Sequence, residues 1–103
     1  MKMKHKFRAK PTTIEGIRFD SKLEARYYSN LKERVKTGEV VMFLRQTPLH
    51  LPGNVKYVVD FTEFHSDGTV HFIDCKGMET KEFIMKKKMV EDLYPIEIEI
   101  VKK

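Results

Sequence analysis

Two aspartates and a lysine lie at spacings that would bring them together on a β-hairpin. Residues 58–61 include Asp60, and residues 70–77 include Asp74 and Lys76. Because side chains alternate along a strand, Asp74 and Lys76 share one face of the second run. Two facing carboxylates are destabilising unless a cation lies between them, and Mg²⁺ prefers carboxylate, phosphate and water ligands. The spacing therefore points to a site for a divalent metal and a phosphate.

The turn between the two runs decides whether the aspartates face each other. A three-residue loop over residues 66–68 needs a third residue that tolerates positive φ, and Gly68 supplies it. In this register Asp60 lies opposite Asp74. A two-residue Asp-Gly turn is the common alternative, and it would place Asp60 opposite Cys75 and scatter the group. On the hairpin alone both registers remain open.

The charge of the chain is concentrated at its beginning. Lysine and arginine number 20 against 15 acids, which gives a net charge of +5 over 103 residues. Residues 1–11 form a basic N-terminal arm, and residues 12–103 have the length of a single domain. A basic arm suits a nucleic-acid backbone, and a frayed, solubilising terminus is the alternative.

The composition also excludes several classes of protein. A single cysteine excludes an intrachain disulfide and a cysteine-rich zinc site. The chain contains neither an apolar run of about 20 residues nor the pattern of a signal peptide. We therefore expect a soluble cytoplasmic protein with no membrane association.

The apolar pattern predicts an α/β fold in the order α-β-β-β-α-β, a mixed sheet with helices on its faces. A small hairpin is expected over residues 12–19, and helices over residues 20–36 and 80–94, from their capping and stop signals. A strand over residues 39–46 precedes the central hairpin. The last strand, over residues 96–100, is expected to pair in parallel after a right-handed crossover.

Apolar residues on both sides of the hairpin predict a sheet that is covered on both faces. Val59 and Phe61 are expected to share one face, because they are two residues apart, while Val70 lies on the other. In the second helix the buried stripe is expected to consist of Phe83, Val90, Leu93 and Tyr94.

Three further residues point to the same end of the sheet. Glu24 forms a capping box with Ser21, and as a third carboxylate near the aspartates it would complete a hard-cation site. Lys86 falls within the apolar stripe of the second helix, where a lysine either reaches solvent or finds an anion. Gln46 ends its strand, and an amide at that place is usually a turn neighbour.

These motifs, in this order, resemble those of the PD-(D/E)XK nuclease superfamily. The shared features are Glu24 on the first helix, Asp60 on the first hairpin strand and residues 74–76, Asp-Cys-Lys, on the second. Residues 16–28 and 57–61 look still closer to a group of small phage-encoded proteins of that superfamily. The likeness covers nearly the whole chain. It implies a restriction-endonuclease-like αβββαβ core, a mixed sheet flanked by helices.

The resemblance implies a metal-dependent DNA endonuclease that hydrolyses phosphodiester bonds. Asp60, Asp74 and the backbone carbonyl of Cys75 would bind Mg²⁺ or Mn²⁺. Glu24 would assist through a water or a second metal, and Lys76 would orient the nucleophile. The metal lowers the pKa of its water and neutralises the charge that develops on the phosphate.

The resemblance also implies partners. The substrate would be DNA, and a branched form such as a Holliday junction in phage recombination or replication is the expected target, met in the cytoplasm of the bacterial host. A homodimer is expected, since junctions and duplexes are two-fold targets. The residues expected to bind nucleic acid are Lys86, Gln46, Lys81, Lys10 and Arg8.

Two departures from the superfamily pattern and two other readings remain. The residue before Asp60 is Val59 rather than proline, and the acid of the second motif is Asp74 rather than glutamate. A nucleic-acid-binding module that keeps the fold without catalysis is the main alternative. A protein–protein adaptor with an incidental acidic pair is the third reading.

Overall fold

A computed structural model describes residues 11–102 of the chain. The elements of this part are β1 (Thr12–Ile14), β2 (Ile17–Phe19), α1 (Lys22–Lys36), β3 (Val40–Leu51), β4 (Val55–His65), β5 (Val70–Cys75), α2 (Lys81–Leu93) and β6 (Ile98–Val101). The α/β class and the predicted order of elements are confirmed. The predicted nucleic-acid contacts at Arg8 and Lys10 lie outside the described residues.

A four-stranded mixed sheet in the order β3-β4-β5-β6 forms the centre of the fold. The strand pairs β3/β4 and β4/β5 are antiparallel, and β5/β6 is parallel, with α2 as the connection. The predicted parallel pairing of the last strand is therefore confirmed. The strands β1 and β2 form a separate hairpin, whose turn residues Glu15 and Gly16 have φ values of 52° and 81°. Both values are positive, as a two-residue hairpin turn requires.

Both helices begin at the predicted capping residues. The Ser21 hydroxyl accepts a hydrogen bond from the Glu24 amide at 3.1 Å, and the Thr80 hydroxyl accepts one from the Phe83 amide at 3.1 Å. Each bond satisfies one of the amides that the first helical turn leaves without a partner. These caps fix where α1 and α2 start, and hence which of their residues meet the sheet.

The turn of the central hairpin has the three-residue form. The His65 amide donates to the Thr69 carbonyl at 2.9 Å, the Gly68 amide donates to the His65 carbonyl at 3.0 Å, and Gly68 has a φ of 89°. Phe64 consequently pairs with Val70. This register is the one that points Asp60 at Asp74 across the two strands, and the two-residue alternative is excluded.

Two apolar cores lie on opposite faces of the sheet. The first lies under α1 and consists of Phe19, Ala25, Tyr28, Leu31, Val40, Phe61 and Ile73. The second lies against α2 and consists of Leu51, Tyr57, Val59, Phe83, Val90 and Ile98. The sheet is covered on both faces, as predicted, and each helix covers a different part of it.

The prediction that Val59 and Phe61 share a face was wrong. Phe61 belongs to the first core and Val59 to the second, although the two are only two residues apart. The neighbouring strand explains the exchange, because Gln46 has a φ of 54° between the pairs Arg45–Phe61 and Thr47–Val59. Alternation of side chains holds only while the backbone stays extended. Both strands therefore exchange faces at this point while their register is kept.

Two predictions of burial were also wrong. The exposed fraction is 45% for Val70 and 54% for Leu93, both of which were expected to be covered. The helix α2 does bury Phe83 and Val90, as predicted, and these pack in the second core.

A buried glutamate joins α1 to β4. Glu63 is 1% exposed, and its Oε1 accepts a hydrogen bond from Arg34 Nη2 at 3.1 Å. The same oxygen lies 2.8 Å from His65 Nε2, while Oε2 accepts a hydrogen bond from the Tyr27 hydroxyl. This carboxylate is therefore paired and hydrogen-bonded on both oxygens, as a buried charge must be.

We expect Glu63→Ala to lower the free energy of unfolding by about 3 kcal/mol, because it removes the acceptor of the Tyr27 hydroxyl and the buried partner of Arg34, which keeps the exposed Glu39. Urea denaturation followed by circular dichroism measures the change. Glu33→Ala is the control, since the Glu33 side chain is 69% exposed and contacts Lys36 at 3.4 Å. Equal losses of stability in the two variants would contradict this role for Glu63.

Candidate functional site

The two hairpin aspartates meet where the regular pairing of β4 and β5 ends. The described ladder runs from Phe64–Val70 to Phe61–Ile73, and Asp60 and Asp74 occupy the next position of this register. Here side chains replace the backbone bonds between the strands. The Asp60 amide donates to Asp74 Oδ1 at 2.9 Å, and the amide of residue 75 donates to Asp60 Oδ2 at 2.9 Å. Each carboxylate thus satisfies an amide of the opposite strand, and we call this arrangement the carboxylate clamp.

The second oxygen of Asp74 is also bonded within the protein. Asp74 is 1% exposed, and its Oδ2 accepts a hydrogen bond from the Tyr57 hydroxyl. The Tyr57 ring packs against the Phe83 ring with their centroids 6.1 Å apart. Burial, and then the hydrogen bond to Asp74, raise the pKa of Tyr57 above its usual range. Tyr57 therefore stays a hydrogen-bond donor to Asp74 at neutral pH.

Glu24 approaches the clamp from α1. Its carboxylate is buried, and Oε2 accepts a hydrogen bond from Gln46 Nε2 at 3.2 Å. The backbone amide of Glu24 is capped by Ser21, while its side chain extends to Gln46 on the sheet. Gln46 is the residue of positive φ at the exchange of faces. Its predicted place at the end of a strand was wrong, because β3 continues to residue 51.

Burial and neighbouring negative charge raise the pKa values of Glu24 and Asp60. Burial, followed by the charges of Asp60 and Asp20, raises the pKa of Glu24 to about 7. Burial also raises the pKa of Asp60 to about 6, with the charge of Asp74 adding to it and the charge of Lys76 opposing it. Carboxylates whose pKa values rise through burial and mutual repulsion favour a bound cation, and such groups cluster at functional sites.

Cys75 lies within reach of the same charges but is not reactive. Burial, followed by the charges of Asp60, Glu24 and Asp74, raises the pKa of its thiol to about 12. The thiolate is the nucleophilic form, so the side chain is inert at neutral pH. The side chain packs against the first core.

A shallow basic cavity adjoins the clamp on the side of α2. It has a volume of about 230 Å³, and its polar lining consists of Lys56, Lys76, Thr80, Glu82 and Lys86. Lys76 Nζ lies 4.7 Å from the centroid of the Phe83 ring, and Lys86 Nζ lies 3.0 Å from Glu82 Oε2. We call this feature the lysine cavity. Its three ammonium groups against one carboxylate suit an anion such as a phosphate.

An arginine next to Gln46 carries an unsatisfied donor. Arg45 stacks its guanidinium over the Phe19 ring at 4.7 Å, and its charge lowers the pKa of Glu24 against the larger effects that raise it. Among the described residues, Arg45 Nε is a buried nitrogen without a hydrogen-bond partner. A buried donor of this kind is costly unless a ligand or water satisfies it.

The structure brings together some of the predicted site residues and separates others. Those at or around the carboxylate clamp are Glu24, Gln46, Asp60, Asp74 and Cys75, and those at the lysine cavity are Lys76 and Lys86. Lys81 is exposed on the first turn of α2, away from the clamp's hydrogen bonds. Its predicted role as a contact to nucleic acid stays a prediction.

Sequence reasoning missed Tyr57, Arg45 and Lys56. Tyr57 lies three residues before Asp60, and regular alternation would place the two on opposite faces. Its contact with Asp74 follows from the exchange of faces at Gln46, which the apolar pattern does not signal. The basic character of Lys56 was visible, but its neighbours in the lysine cavity come from β5 and α2.

A divalent metal fits the chemistry of the donors at the clamp. The carboxylates of Glu24 and Asp60 are hard oxygen ligands with raised pKa values, and Mg²⁺ commonly uses one or two carboxylates with several waters. Within residues 11–102, no three histidine, cysteine, aspartate or glutamate side chains converge as a complete ligand set. A cation here would therefore depend on water or phosphate for its remaining ligands.

The fold and the clamp define a small mixed α/β protein with an acidic site at the end of a β-hairpin. The chain belongs to the family DUF1064, described as a protein of unknown function, whose profile matches residues 4–102. No curated protein and no solved structure matches the chain. In residues 11–102 no helix has the length and apolar character needed to cross a membrane.

We expect Glu24→Gln to become more stable than the wild type as the pH rises. The pKa of Glu24 is raised from its ordinary value of 4.5 to about 7 in the folded protein. Ionisation of Glu24 therefore has no effect on stability below pH 4.5, lowers the stability progressively between pH 4.5 and pH 7, and lowers it by a constant amount above pH 7. The difference in unfolding free energy should grow by about 1 to 3 kcal/mol between these two pH values.

Urea denaturation in EDTA at pH 4.5 and pH 7.5 measures this difference. Glu97→Gln is the control, because Glu97 is an exposed acid of the same chain. A difference between wild type and Glu24→Gln that stays constant with pH would contradict the raised pKa.

Proposed function

We propose that this chain is a metal-dependent DNA endonuclease of the PD-(D/E)XK type that hydrolyses phosphodiester bonds. The observation that supports this most is the carboxylate clamp, which joins Asp60 on β4 to Asp74 on β5. Glu24 on α1 and Lys76 lie close enough for their charges to interact with Asp60. The order and element of each acid are those that the superfamily resemblance implies. The adjacent lysine cavity supplies the complementary charge for a phosphate backbone.

The proposed roles are those that the superfamily resemblance implies. Asp60, Asp74 and the carbonyl of Cys75 would hold Mg²⁺ or Mn²⁺, which when bound lowers the pKa of a water and neutralises charge on the phosphate. Glu24 would hold a water by accepting its hydrogen bond. Lys76 would place its ammonium group against the attacking water or the scissile phosphate.

The residues around the clamp suggest how DNA would be held. Lys86 and Lys56 would contact phosphates from the lysine cavity, and Arg45 has a free buried donor at the other side of the clamp. Gln46 bonds to Glu24, so we assign it to holding that carboxylate rather than to contacting DNA. Backbone contacts of this kind read the shape of DNA more than its sequence. A branched substrate such as a Holliday junction is therefore the expected target.

The expected dimer and setting belong to the same proposal. Either the sheet edge at residues 96–100 or the basic N-terminal arm would mediate the dimer. In the described part of the chain, β6 forms one edge of the sheet and β3 the other. The β3 edge exposes Val41 (62%) and Met42 (46%). A homodimer with two sites would match a two-fold DNA junction. Action on phage DNA in the cytoplasm of a bacterial host completes the proposal.

One observation favours a second candidate, a DNA-binding module without catalysis. Both oxygens of Asp74 are bonded to protein donors, the Asp60 amide and the Tyr57 hydroxyl. In this arrangement Asp74 stabilises the junction of β4 and β5 whether or not a metal binds. Such a module would bind DNA, and its affinity would not depend on a divalent metal.

We expect the wild type to cleave four-way-junction DNA with Mg²⁺ or Mn²⁺ and not in EDTA. Asp60→Asn and Asp74→Ala should each lower the rate by about 100-fold or more, because each removes a charge that holds the metal. Gel assays with labelled junction, duplex and single-stranded DNA measure both the rate and the preferred substrate.

Asp92→Asn is the matched control, since Asp92 is an exposed acid on α2. This variant should cleave DNA at the wild-type rate. Circular dichroism must first show that the Asp74→Ala protein is folded, because Asp74 is buried. Binding of junction DNA without cleavage under either metal would support the non-catalytic module instead.

We expect Lys86→Ala to weaken DNA binding and to lower the slope of log affinity against log salt by about 1, because one phosphate contact is lost. Lys88→Ala, an exposed lysine on the same helix, is the control. Fluorescence anisotropy at several salt concentrations, in Ca²⁺ to suppress cleavage, measures both slopes. Equal slopes for the two variants would remove Lys86 from the proposed contact.

A further inference from the structure

We infer that Tyr57 is a positioning residue, whose hydroxyl orients the Asp74 carboxylate for a divalent cation. The inference rests on the proposed function. Its basis is that the Tyr57 hydroxyl donates to Asp74 Oδ2 while the Asp60 amide donates to Oδ1 at 2.9 Å. Two donors on the two oxygens fix the rotation of the carboxylate plane. Each oxygen keeps a further lone pair, so both remain able to accept a ligand.

The hydroxyl of Tyr57 is itself held in place by packing. Tyr57 is 5% exposed, and its ring lies in the second core against Phe83, with centroids 6.1 Å apart. Val59 and Leu51 belong to the same core. A tyrosine whose ring cannot turn presents its hydroxyl at one point. Tyr57 can therefore fix the carboxylate of Asp74, which is itself 1% exposed.

The cation and the hydroxyl approach Asp74 from different sides. Glu24 reaches the clamp from α1, and that helix packs on the first core. Tyr57 belongs to the second core, under α2, on the opposite face of the sheet. A cation held by Asp60 and Asp74 on the side of Glu24 would therefore leave the Tyr57 bond intact. The hydroxyl then acts as an outer partner of a metal ligand, and loss of such a partner typically weakens metal binding by about 10- to 100-fold.

The experiment measures Mn²⁺ binding directly. Tyr57→Phe removes one oxygen and keeps the ring against Phe83, and we expect it to weaken Mn²⁺ affinity by about 10-fold or more. Tyr94→Phe is the matched control, because it removes the same atom where the hydroxyl donates to the His50 carbonyl at 2.6 Å. Its Mn²⁺ affinity should stay within two-fold of the wild type. Titration calorimetry and Mn²⁺ electron paramagnetic resonance, at a temperature where every variant is folded, supply the dissociation constants.

A second pair of variants separates positioning from packing. Val90→Ala disturbs the same core but keeps the hydroxyl and the Phe83 ring that packs on Tyr57, so Mn²⁺ affinity should remain within two-fold of the wild-type level. Adding Tyr57→Phe to the Asp74→Asn variant should not change its Mn²⁺ affinity further, because Tyr57 acts through Asp74. In cleavage assays, saturating Mn²⁺ should return Tyr57→Phe to within a few-fold of the wild-type rate.

Each result has one meaning. Weaker Mn²⁺ binding in Tyr57→Phe alone supports the positioning role. Equal or tighter binding in Tyr57→Phe, with normal Mn²⁺ binding by the wild type, overturns the role of Tyr57 and leaves the proposed nuclease intact. Lack of Mn²⁺ binding by the folded wild type at millimolar concentration overturns the metal site, and the inference with it.

Discussion

The rest of the structure depends on the carboxylate clamp, in which Asp60 and Asp74 each accept a hydrogen bond from a backbone amide of the opposite strand. Where β4 and β5 cease to pair through their backbones, each carboxylate takes over an amide of the opposite strand. A buried amide without a partner costs free energy, and so does a buried carboxylate without donors. The clamp removes both costs at once. It therefore lets the strands separate at this point and holds two acids together at the opening.

The change of faces at Gln46 gives the clamp its neighbours. If β3 and β4 alternated regularly, Tyr57 and Val59 would face α1 together with Phe61. The positive φ of Gln46 turns them toward α2 instead, where Tyr57 meets Asp74. The same residue uses its side chain to bond Glu24 from α1. One irregular position thus connects the groups from both sides of the sheet at the site.

The sequence predicted the parts of this site that depend on local signals. The caps at Ser21 and Thr80 set the starts of the helices. Gly68 offered the three-residue turn that the structure has, although the sequence left the two-residue register open. The sequence did not predict the contacts that depend on an irregularity of the backbone in mid-strand. A non-glycine residue with positive φ in mid-strand, Gln46, has no signature in hydrophobic periodicity. The contact between Tyr57 and Asp74 follows from it and was accordingly missed.

Two buried acids of this fold differ in how their charge is balanced. Glu63 is bonded to Arg34 and to Tyr27, so its negative charge is balanced within the protein. The side chain of Glu24 is bonded to the neutral amide of Gln46, and its pKa rises to about 7. The same chain therefore supplies a guanidinium to one buried acid and only an amide, with the more distant charge of Arg45, to the other. A buried acid that only stabilises the fold is expected to have a cationic partner within the protein, as Glu63 has. The lack of such a direct partner at Glu24 agrees with the proposed binding of an external cation.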